Sequence, residues 1–494
     1  MEKQKPFYIT TTLPYVNAKP HIGHALEFVR ADSIARYKAL TGHEVFLNTG
    51  TDEHGIKIHQ KANEEGRNVK EYVDEYSGHI RKLTEKLGMA TNAPGIVFNF
   101  IRTTDENHIK AAQSFWKTCD ENGYIEKRNY KGLYCVADEL FVAEKDMVNG
   151  RCPNHPDSNL VEVEEENYFF KASEFSKKLL EHFENSKDFV VPEARANEMK
   201  ALLERGLEDF SISRVKEKMP WGVPVPGDET QVMYVWFDAL VNYVDVIGWP
   251  EDLDNFNKWW PVTQYCGKDN TRQQSVMWQA MLLAAGLPLS KQIVVNGFVT
   301  AEGGIKMSKS LGNVVDPVDI VEEYGTDAFR YYVLRELHPF EASPFTPEKF
   351  AESYNANLVN GLGNLVSRVM KMSEDFGTEY TKEQIGEVIE AARDDIFGQK
   401  SDYRKAIEEF NFSEAMDIAW KHIGEADEHI QKTQPFKVVK ENKEKAQEDV
   451  FTAIHTIICV AHMIRPMMPQ TADKILDTIR ENKKPTEPLF PRKK

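Results

Sequence analysis

The sequence predicts an α/β protein whose parallel sheet is interrupted by an inserted domain and followed by a helical bundle. Three observations indicate this fold. Short β-branched strands alternate with helices near the N-terminus, residues 116–230 break that alternation, and apolar residues recur at helical spacing from about residue 346. With 494 residues, the chain is long enough for about two to four domains.

The first elements are a strand, a loop and a helix. Residues 7–13 are rich in β-branched and aromatic side chains and predict the first strand. Residues 24–40 carry their apolar side chains mainly on one helical face, and Gly42 marks the end of that helix. A second short strand is predicted over 44–47. Alternation of this kind favours a parallel sheet with helices on its faces.

The middle of the chain is an insertion between two halves of the sheet domain. It carries an acidic, strand-like run at 161–170 and leaves through a proline- and glycine-rich segment at 220–227. The α/β pattern resumes at Gln231 and at 293–299. The predicted boundaries are 1–115 for the first half of the sheet domain, 116–230 for the insertion, 231–315 for the second half, 316–345 for a linking segment and 346–494 for the helical domain.

The helical domain is predicted from apolar residues at steps of three and four, which give each helix one buried face. The residues that carry the pattern are Tyr354, Leu358, Leu362, Leu365 and Val369, and later Phe451, Ile454, Ile458, Ala461 and Ile464.

Composition excludes several classes of protein. The longest apolar stretch is about five residues, where a membrane span needs about 18 or more. Five cysteines argue against a disulfide scaffold and for a reducing compartment, and no secretory leader is visible, so we expect a cytoplasmic protein. Net charge is −17, so any polyanion must be bound by a local basic patch.

A histidine motif, His21-Ile22-Gly23-His24, follows the first strand at the start of the first helix. Backbone N–H groups and the helix dipole favour phosphate at such a place. Gly23 allows close backbone approach, and the two imidazoles can donate hydrogen bonds to phosphate oxygens. Alone, the motif also fits two surface histidines at a helix start.

A lysine motif, Lys306-Met307-Ser308-Lys309-Ser310, is preceded by Gly303-Gly304 and followed by Gly312. Two lysines in a glycine-flanked loop can act as a mobile cationic clamp on a phosphate whose oxygen bond is breaking. An isolated pair of this kind is more often a solvated basic turn. Its occurrence after the histidine motif on one α/β chain favours the catalytic interpretation.

The two motifs in this order resemble the signature of class I aminoacyl-tRNA synthetases, and further blocks along the chain resemble the methionyl-tRNA synthetase family. Those blocks lie at 13–17, 50–55, 234–240 and 267–269, and directly after the lysine motif. The resemblance implies a Rossmann-type catalytic domain, an inserted connective domain and an anticodon-binding bundle. It also implies ATP- and Mg²⁺-dependent activation of L-methionine to methionyl-adenylate and transfer to tRNA(Met), for initiation and elongation of translation.

The resemblance also assigns residues to roles, position by position. Contacts with ATP are implied for His21, Gly23, His24, Glu27, Gly267, Asp269 and Lys309. Help in catalysis is implied for His21, His24, Lys306, Lys309 and Arg214. The methionine site would consist of Leu13, Tyr15, Asp52, Trp236, Ala239, Tyr243 and Gln274, with Asp52 pairing with the substrate ammonium.

The amino-acid pocket departs from the family pattern. Asn270 and Gln274 stand where the family has an aliphatic residue and, four positions later, a histidine, and Asn296 stands where many members have histidine. A neutral glutamine can hydrogen-bond as histidine does. Two alternatives therefore stay open: a class I synthetase for another small apolar or sulfur-containing amino acid, and a non-catalytic tRNA-binding relative, against which the intact motifs argue.

The insertion carries four residues with zinc-ligand spacing, Cys135-x2-Asp138 and Cys152-x2-His155. Family members with one zinc knuckle have cysteine at the second position, and aspartate is a less common ligand. The sequence therefore indicates either one structural Zn²⁺ ion or a metal-free vestige.

The bundle carries residues that resemble the anticodon-reading set of the family. Asn364 and Arg368 lie one helical turn apart. Phe436 follows Pro435 where the family has a tryptophan, and an unpaired base stacks on any aromatic face. Family members that end at a similar point tend to be monomers, which is the expectation here.

Overall fold

The computed structural model describes residues 4–135, 140–142, 147–153, 159–305, 307, 315–398 and 400–493. The strands are β1 (Phe7–Thr10), β2 (Val45–Thr51), β3 (Ile96–Arg102), β4 (Ile125–Cys135), β5 (Leu140–Val142), β6 (Leu160–Phe170), β7 (Val190–Val191), β8 (Phe210–Ser211), β9 (Ser213–Val215), β10 (Pro224–Val225), β11 (Asp228–Met233), β12 (Thr263–Gly267), β13 (Gln292–Asn296), β14 (Val299–Thr300) and β15 (Ser343–Pro344).

The α-helices are α1 (Ile22–Leu40), α2 (Ile56–Glu64), α3 (Val69–Lys86), α4 (Glu106–Glu121), α5 (Ser176–Asn185), α6 (Glu193–Glu204), α7 (Val235–Ala239), α8 (Asn242–Asp245), α9 (Leu253–Trp259), α10 (Trp278–Ala284), α11 (Pro317–Tyr324), α12 (Thr326–Arg335), α13 (Pro347–Ser353), α14 (Asn364–Phe376), α15 (Lys382–Ile396), α16 (Asp402–Glu408), α17 (Phe412–Thr433), α18 (Pro435–Val438), α19 (Lys443–Ile464) and α20 (Pro469–Glu481). Two π-helical segments, Gln273–Met277 and Tyr354–Gly363, lead into α10 and α14.

A parallel sheet organises the catalytic half of the molecule, as the sequence predicts. Within the described ranges, its strand order is β3-β2-β1-β12-β13-β7. Every residue of β1 and β2 is buried, as expected for strands covered by helices on both faces. From β1 the chain adds β2 and then β3 on one side of the sheet, and from β12 it adds β13 on the other side. The crevice at the carboxyl ends of β1 and β12 is therefore a topological switch point, where α/β proteins bind ligands.

Local sequence signals located the first elements to within a few residues. α1 begins at Ile22 rather than at residue 24, because His21 caps it. β2 extends to Thr51, well past the predicted 44–47, because it stays buried and paired with β3 over its whole length. The predicted strand at 161–170 is β6 (Leu160–Phe170).

The insertion builds sheets of its own and also contributes to the central sheet. β5-β4-β6-β8 form an antiparallel sheet, and β10-β11-β9 form another beside it. Between α5 and α6, however, β7 returns to the central sheet, where Val190 lies beside Ile293 of β13 in parallel register. A two-residue strand shows no periodicity, so sequence patterns could not reveal this return.

The C-terminal third is helical, as predicted. The five residues that carry the first helical pattern, from Tyr354 to Val369, are all buried in the core that the bundle shares with α1 and α12. Truncating such a buried leucine to alanine costs about 2–5 kcal/mol. Ile454, Ile458, Ala461 and Ile464 of α19 are buried, and Phe451 is half-buried beside them. In the described part of the chain, no helix is long and apolar enough to cross a membrane.

A buried charge cluster joins α1 to the bundle. Asp32 on α1 accepts hydrogen bonds from Arg36 Nε at 2.7 Å and lies 2.6 Å from Arg330 Nη1 on α12. Arg330 is completely buried and also donates to the carbonyl oxygens of Pro466 and Met467, in the turn between α19 and α20. The helix that begins at the histidine motif is therefore linked, through Asp32 and Arg330, to the turn between α19 and α20 of the bundle.

Candidate active site

The two motif histidines cap the N-terminus of α1 and hold one another in place. His21 Nδ1 accepts the N–H of Gly23 at 3.1 Å, and His24 Nδ1 accepts the N–H of His21 at 3.2 Å. The two rings stack with centroids 3.9 Å apart. A Cβ on residue 23 would lie 3.0 Å from the His21 ring, so glycine leaves room for this arrangement.

This capping pattern determines which ring nitrogen carries the proton. A nitrogen that accepts a backbone N–H has no hydrogen of its own, so the proton of each neutral ring lies on Nε2. Burial and the neighbouring His21 hold the pKa of His24 well below its usual value, so the His24 ring is neutral at pH 7. The N–H groups of His21 and Gly23 are occupied by the two rings, so the helix start presents imidazole Nε2–H donors where the helix dipole also favours phosphate oxygens.

Glu27, one turn further along α1, is a buried carboxyl group. Its Oε1 accepts the backbone N–H of Thr12 at 2.6 Å. Burial raises the pKa of Glu27 to about 8; the Thr12 hydrogen bonds oppose that rise and the charge of Asp269 adds to it. At neutral pH the group is mostly protonated, so it can donate a hydrogen bond to a ligand.

The ends of β12 and β13 form the other wall of the crevice. Gly267 ends β12 beside Asn296 of β13, and Asp269 is exposed in the turn that follows. Asn296 accepts a hydrogen bond at 2.9 Å from Arg30, a completely buried residue of α1. A Cβ on Gly297 would lie 2.0 Å from the Glu341 carbonyl oxygen, so only glycine permits this close approach of the two segments.

The residues that the resemblance assigns to methionine fall into two bonded pairs and three wall residues. Asp52 is buried at the end of β2 and pairs backbone to backbone with Tyr15. Gln274 donates to the Tyr243 hydroxyl at 2.8 Å, and both side chains are buried. Leu13 and Ala239 are buried and Trp236 is half-buried, which leaves an apolar, aromatic set of side chains.

Sequence reasoning missed the buried group that holds α7, the helix of Trp236 and Ala239. Asp238 lies 2.8 Å from His54 Nδ1 and 3.0 Å from His108 Nε2, and all three side chains are buried. Burial opposes protonation of His108, but hydrogen bonds to Asp238 and Asp245 outweigh it and raise its pKa to about 9. The only sequence signal was that His54 and Asp238 lie inside blocks already singled out for other residues.

Arg214 links the insertion to the same helix. Lying on β9, it donates to the Ser211 hydroxyl at 2.8 Å and to the Ser213 carbonyl oxygen at 2.7 Å. Its guanidinium stacks over the ring of Tyr234, the residue that caps α7, at 4.7 Å. The arginine is therefore bonded to the insertion while it contacts the start of the α7 segment.

Four of the assigned side chains lie outside the described residues: Lys306 and Lys309 of the lysine motif, and Asp138 and His155 of the knuckle. The other two knuckle residues, Cys135 and Cys152, are both buried. A tight turn, Asn149-Gly150 with positive φ at both residues, comes just before Cys152.

The candidate anticodon residues lie on two helices of the bundle, α14 and α18. Asn364 is exposed at the start of α14, and Arg368, one turn later, is half-buried and ion-paired with Asp427 of α17. Phe436 in α18 is 49% exposed, with Lys437 Nζ 6.0 Å from its ring centre. An exposed phenylalanine beside a lysine is suited to stacking on a base near a phosphate.

Comparisons with known proteins extend over the whole chain. The family model "tRNA synthetases class I (M)" matches residues 7–160 and 156–370, and "Anticodon binding domain of methionyl tRNA ligase" matches 381–488. Methionine–tRNA ligase of Thermotoga maritima is 38% identical over 97% of this chain and 76% of its own length. The corresponding protein of Brucella suis is 37% identical over 97% of this chain and 92% of its own length.

Solved structures give the same result. Mycobacterium tuberculosis methionyl-tRNA synthetase in complex with methionyl-adenylate superimposes with a TM-score of 0.89 and 32% identity, covering 99% of this chain and 100% of the other. A crystal structure of the apo form superimposes with a TM-score of 0.82. With the parallel sheet, the capped histidine motif and the helical bundle in place, this chain belongs to the methionyl-tRNA synthetase family of class I aminoacyl-tRNA ligases.

Proposed function

We propose that this chain activates L-methionine with ATP and transfers the methionyl group to the 3′ end of tRNA(Met), through the residues named below. The observation that carries this proposal is the pair of histidines that cap α1, because the N-terminus of α1 follows β1, one of the two strands at the switch point. The similarity to methionine–tRNA ligases, which covers 97% of the chain in one relative, supports the same reaction.

In the first step, the methionine carboxylate attacks the α-phosphate of ATP and pyrophosphate leaves. ATP enters as its Mg²⁺ complex, in which the metal is held largely by phosphate oxygens. His21 and His24 would donate to phosphate through Nε2–H, and protonated Glu27 would donate to the nucleotide. Lys306 and Lys309 would neutralise the charge that develops as the bond breaks.

Methionine would lie among Leu13, Trp236, Ala239 and Tyr243, where an apolar, aromatic surface suits a polarizable thioether. The Asp52 carboxylate would pair with the substrate ammonium. Arg214 would act from the insertion on the adenylate. In the second step, the terminal adenosine of tRNA takes the methionyl group and AMP leaves.

Amino-acid choice is the direct test of this function. ATP–pyrophosphate exchange, measured with each amino acid in turn, should depend on methionine far more than on leucine, isoleucine or cysteine. Apolar shape alone discriminates by about 1–3 kcal/mol per methylene, so modest norleucine or homocysteine activity is expected. Faster exchange with another small apolar or sulfur-containing amino acid would identify a synthetase of different specificity. No exchange with any amino acid would identify a non-catalytic relative.

The bundle would read the anticodon. Phe436→Ala should weaken aminoacylation of tRNA by about 1–3 kcal/mol, because a stacked base loses its partner, while tRNA-free exchange stays near normal. Arg368→Ala should act similarly. Asp427→Asn is the matched control, because it removes the ion-pair partner and leaves the arginine available to RNA. Equal aminoacylation of tRNA with a swapped anticodon would exclude this role.

The knuckle would hold one structural zinc ion. Two thiolates, one imidazole and one carboxylate form a donor set that suits tetrahedral Zn²⁺, and the two described thiols, Cys135 and Cys152, are already buried. Protein purified without chelator should contain about one zinc per chain, and Cys152→Ser should lose it and loosen the insertion. Cys119→Ser, at another buried cysteine, is the control and should keep the metal. Folded, active, zinc-free wild type would identify a vestige.

Four further expectations complete the proposal. The chain would work as a monomer in the cytoplasm, in both initiation and elongation of translation. Its domain boundaries would follow the predicted ranges, with the α5–β7–α6 segment of the insertion attached to the central sheet.

A further inference from the structure

A network of hydrogen bonds between buried polar side chains leads from the loop before β13 to the Tyr243 hydroxyl. It consists of Gln264 in β12, Gln274 and Gln279 on the helix that follows, and Ser290. Each of these side chains, and Tyr243, is at most 3% exposed. Gln264, Gln279 and Ser290 have no role in the proposed reaction, whereas Gln274 and Tyr243 are assigned to the methionine site.

Two backbone groups set the orientation of the first amide. The Ser290 N–H, which can only donate, gives its hydrogen to Gln279 Oε1 at 3.0 Å. The Gln274 carbonyl, which can only accept, takes a hydrogen from Gln279 Nε2 at 2.8 Å. The Gln279 amide is thereby fixed in one orientation, with its second N–H donated to Ser290 Oγ at 3.1 Å.

The remaining hydrogen bonds of this network run in the same donor-to-acceptor direction. The Ser290 hydroxyl, occupied as an acceptor, donates to Gln264 Oε1 at 2.5 Å. Gln264 Nε2 donates to Gln274 Oε1 at 2.5 Å, and Gln274 Nε2 donates to the Tyr243 hydroxyl at 2.8 Å. Every bond therefore points from the Ser290 backbone toward Tyr243, whose oxygen is the final acceptor.

Tyr243 is left with a hydrogen to donate. Burial raises its pKa well above the usual value, so the phenol keeps its proton at neutral pH. Tyr8 fixes the residue by donating to its carbonyl oxygen at 3.0 Å, and Trp278 packs edge-on with the rings 5.9 Å apart. Within the described ranges, no side chain or backbone group accepts the hydroxyl hydrogen of Tyr243.

We propose that Gln264, Gln279 and Ser290 are positioning residues that hold the Tyr243 hydroxyl as a hydrogen-bond donor toward the amino-acid side chain. A slot with a fixed donor favours a side chain that carries an acceptor, such as the thioether sulfur, over a hydrocarbon of the same shape. This inference rests on the proposed function only in that Tyr243 lines the methionine slot.

Ser290→Ala tests the proposal because it removes the hydroxyl and keeps the backbone N–H. Without that hydroxyl, the Gln264 and Gln274 amides can both reverse, and Tyr243 then donates back to Gln274 Oε1. The ratio of kcat/KM for methionine to that for norleucine, measured by pyrophosphate exchange, should fall about fivefold, the value of one modest hydrogen bond. Ser290→Thr, which keeps a hydroxyl, should retain the wild-type ratio.

The controls separate positioning from stability. Gln447→Leu removes a glutamine that donates to two backbone carbonyls in the bundle, and it should leave the ratio unchanged. If Ser290→Ala does not fold, Ser290→Cys offers a weak donor of similar size and should give an intermediate ratio. Equal losses for methionine and norleucine would overturn the inference. Wild-type exchange that shows no preference for methionine over leucine, isoleucine or cysteine would instead overturn the proposed function itself.

Discussion

Replacing His24 with asparagine is expected to slow methionyl-adenylate formation by about 10²–10³-fold and to leave the KM for methionine nearly unchanged. The physical reason is the capping geometry. His24 Nδ1 is occupied by the His21 N–H, so the ring acts on a ligand through Nε2–H alone. Asparagine keeps an acceptor near the Nδ1 position and removes the outer donor. Single-turnover adenylation at saturating methionine is the measurement.

Two further variants distinguish the role of His24 in capping α1 from its role in binding phosphate. His24→Ala should lose the same rate and also about 1 kcal/mol of stability, because the N–H of His21 loses its partner. His24→Gln places an amide N–H near the Nε2 position and should recover part of the rate. A large rise in the KM for methionine with an unchanged rate at saturation would exclude the phosphate-binding role of this residue.

Replacing Asp32 with asparagine is expected to destabilise the protein by about 3–5 kcal/mol. The substitution leaves Arg330, which is completely buried, without a carboxylate, and it also removes the partner of Arg36. Urea unfolding at pH 7, followed by far-UV circular dichroism, measures the loss. Asp477→Asn, which breaks a surface ion pair with Arg480, is the control and should change stability by less than about 1 kcal/mol.

The difference in the free energy of unfolding between wild type and Asp32→Asn should be full at pH 7 and should shrink as the pH falls. Burial raises the pKa of Asp32, but Arg36 and Arg330 together lower it below its ordinary value of 3.8. The stabilisation is therefore complete above that value and is lost as pH falls through the lower value of the folded protein. A stability difference of equal size at pH 7 and well below pH 3.8 would show that the charge of Asp32 is not responsible.

Much of the fold could be predicted because strong local signals agree with the tertiary structure. β1 is a continuous buried run, and the helical spacing from Tyr354 to Val369 marks a face that is buried in full. The predictions were weakest where long-range pairing determines the element. β2 continues to Thr51 because β3 lies beside it, although its last residues are polar and glycine, which on their own favour a loop.

The residues of the candidate site also divide into those that the sequence could predict and those that only the folded structure reveals. Residues in contiguous motifs, such as His21 and His24, could be found from their order in the chain. Asp238 meets His54 and His108 across separations of 184 and 130 residues, so no spacing rule brings them together. Ser290 and Gln264 are likewise polar residues in apolar surroundings, and only the hydrogen bonds between them in the folded chain reveal their joint direction.

The return of β7 to the central sheet limits how this protein can be divided for engineering. Residues 116–230 look in the sequence like a cassette that could be deleted or exchanged as one unit, since they separate the two predicted halves of the sheet domain. Deleting them would remove Val190–Val191 from the sheet and leave the backbone of β13 as an open edge. Open edges of this kind template aggregation. A shortened or chimeric version should therefore be cut within the antiparallel sheets and should keep the α5–β7–α6 segment beside β13.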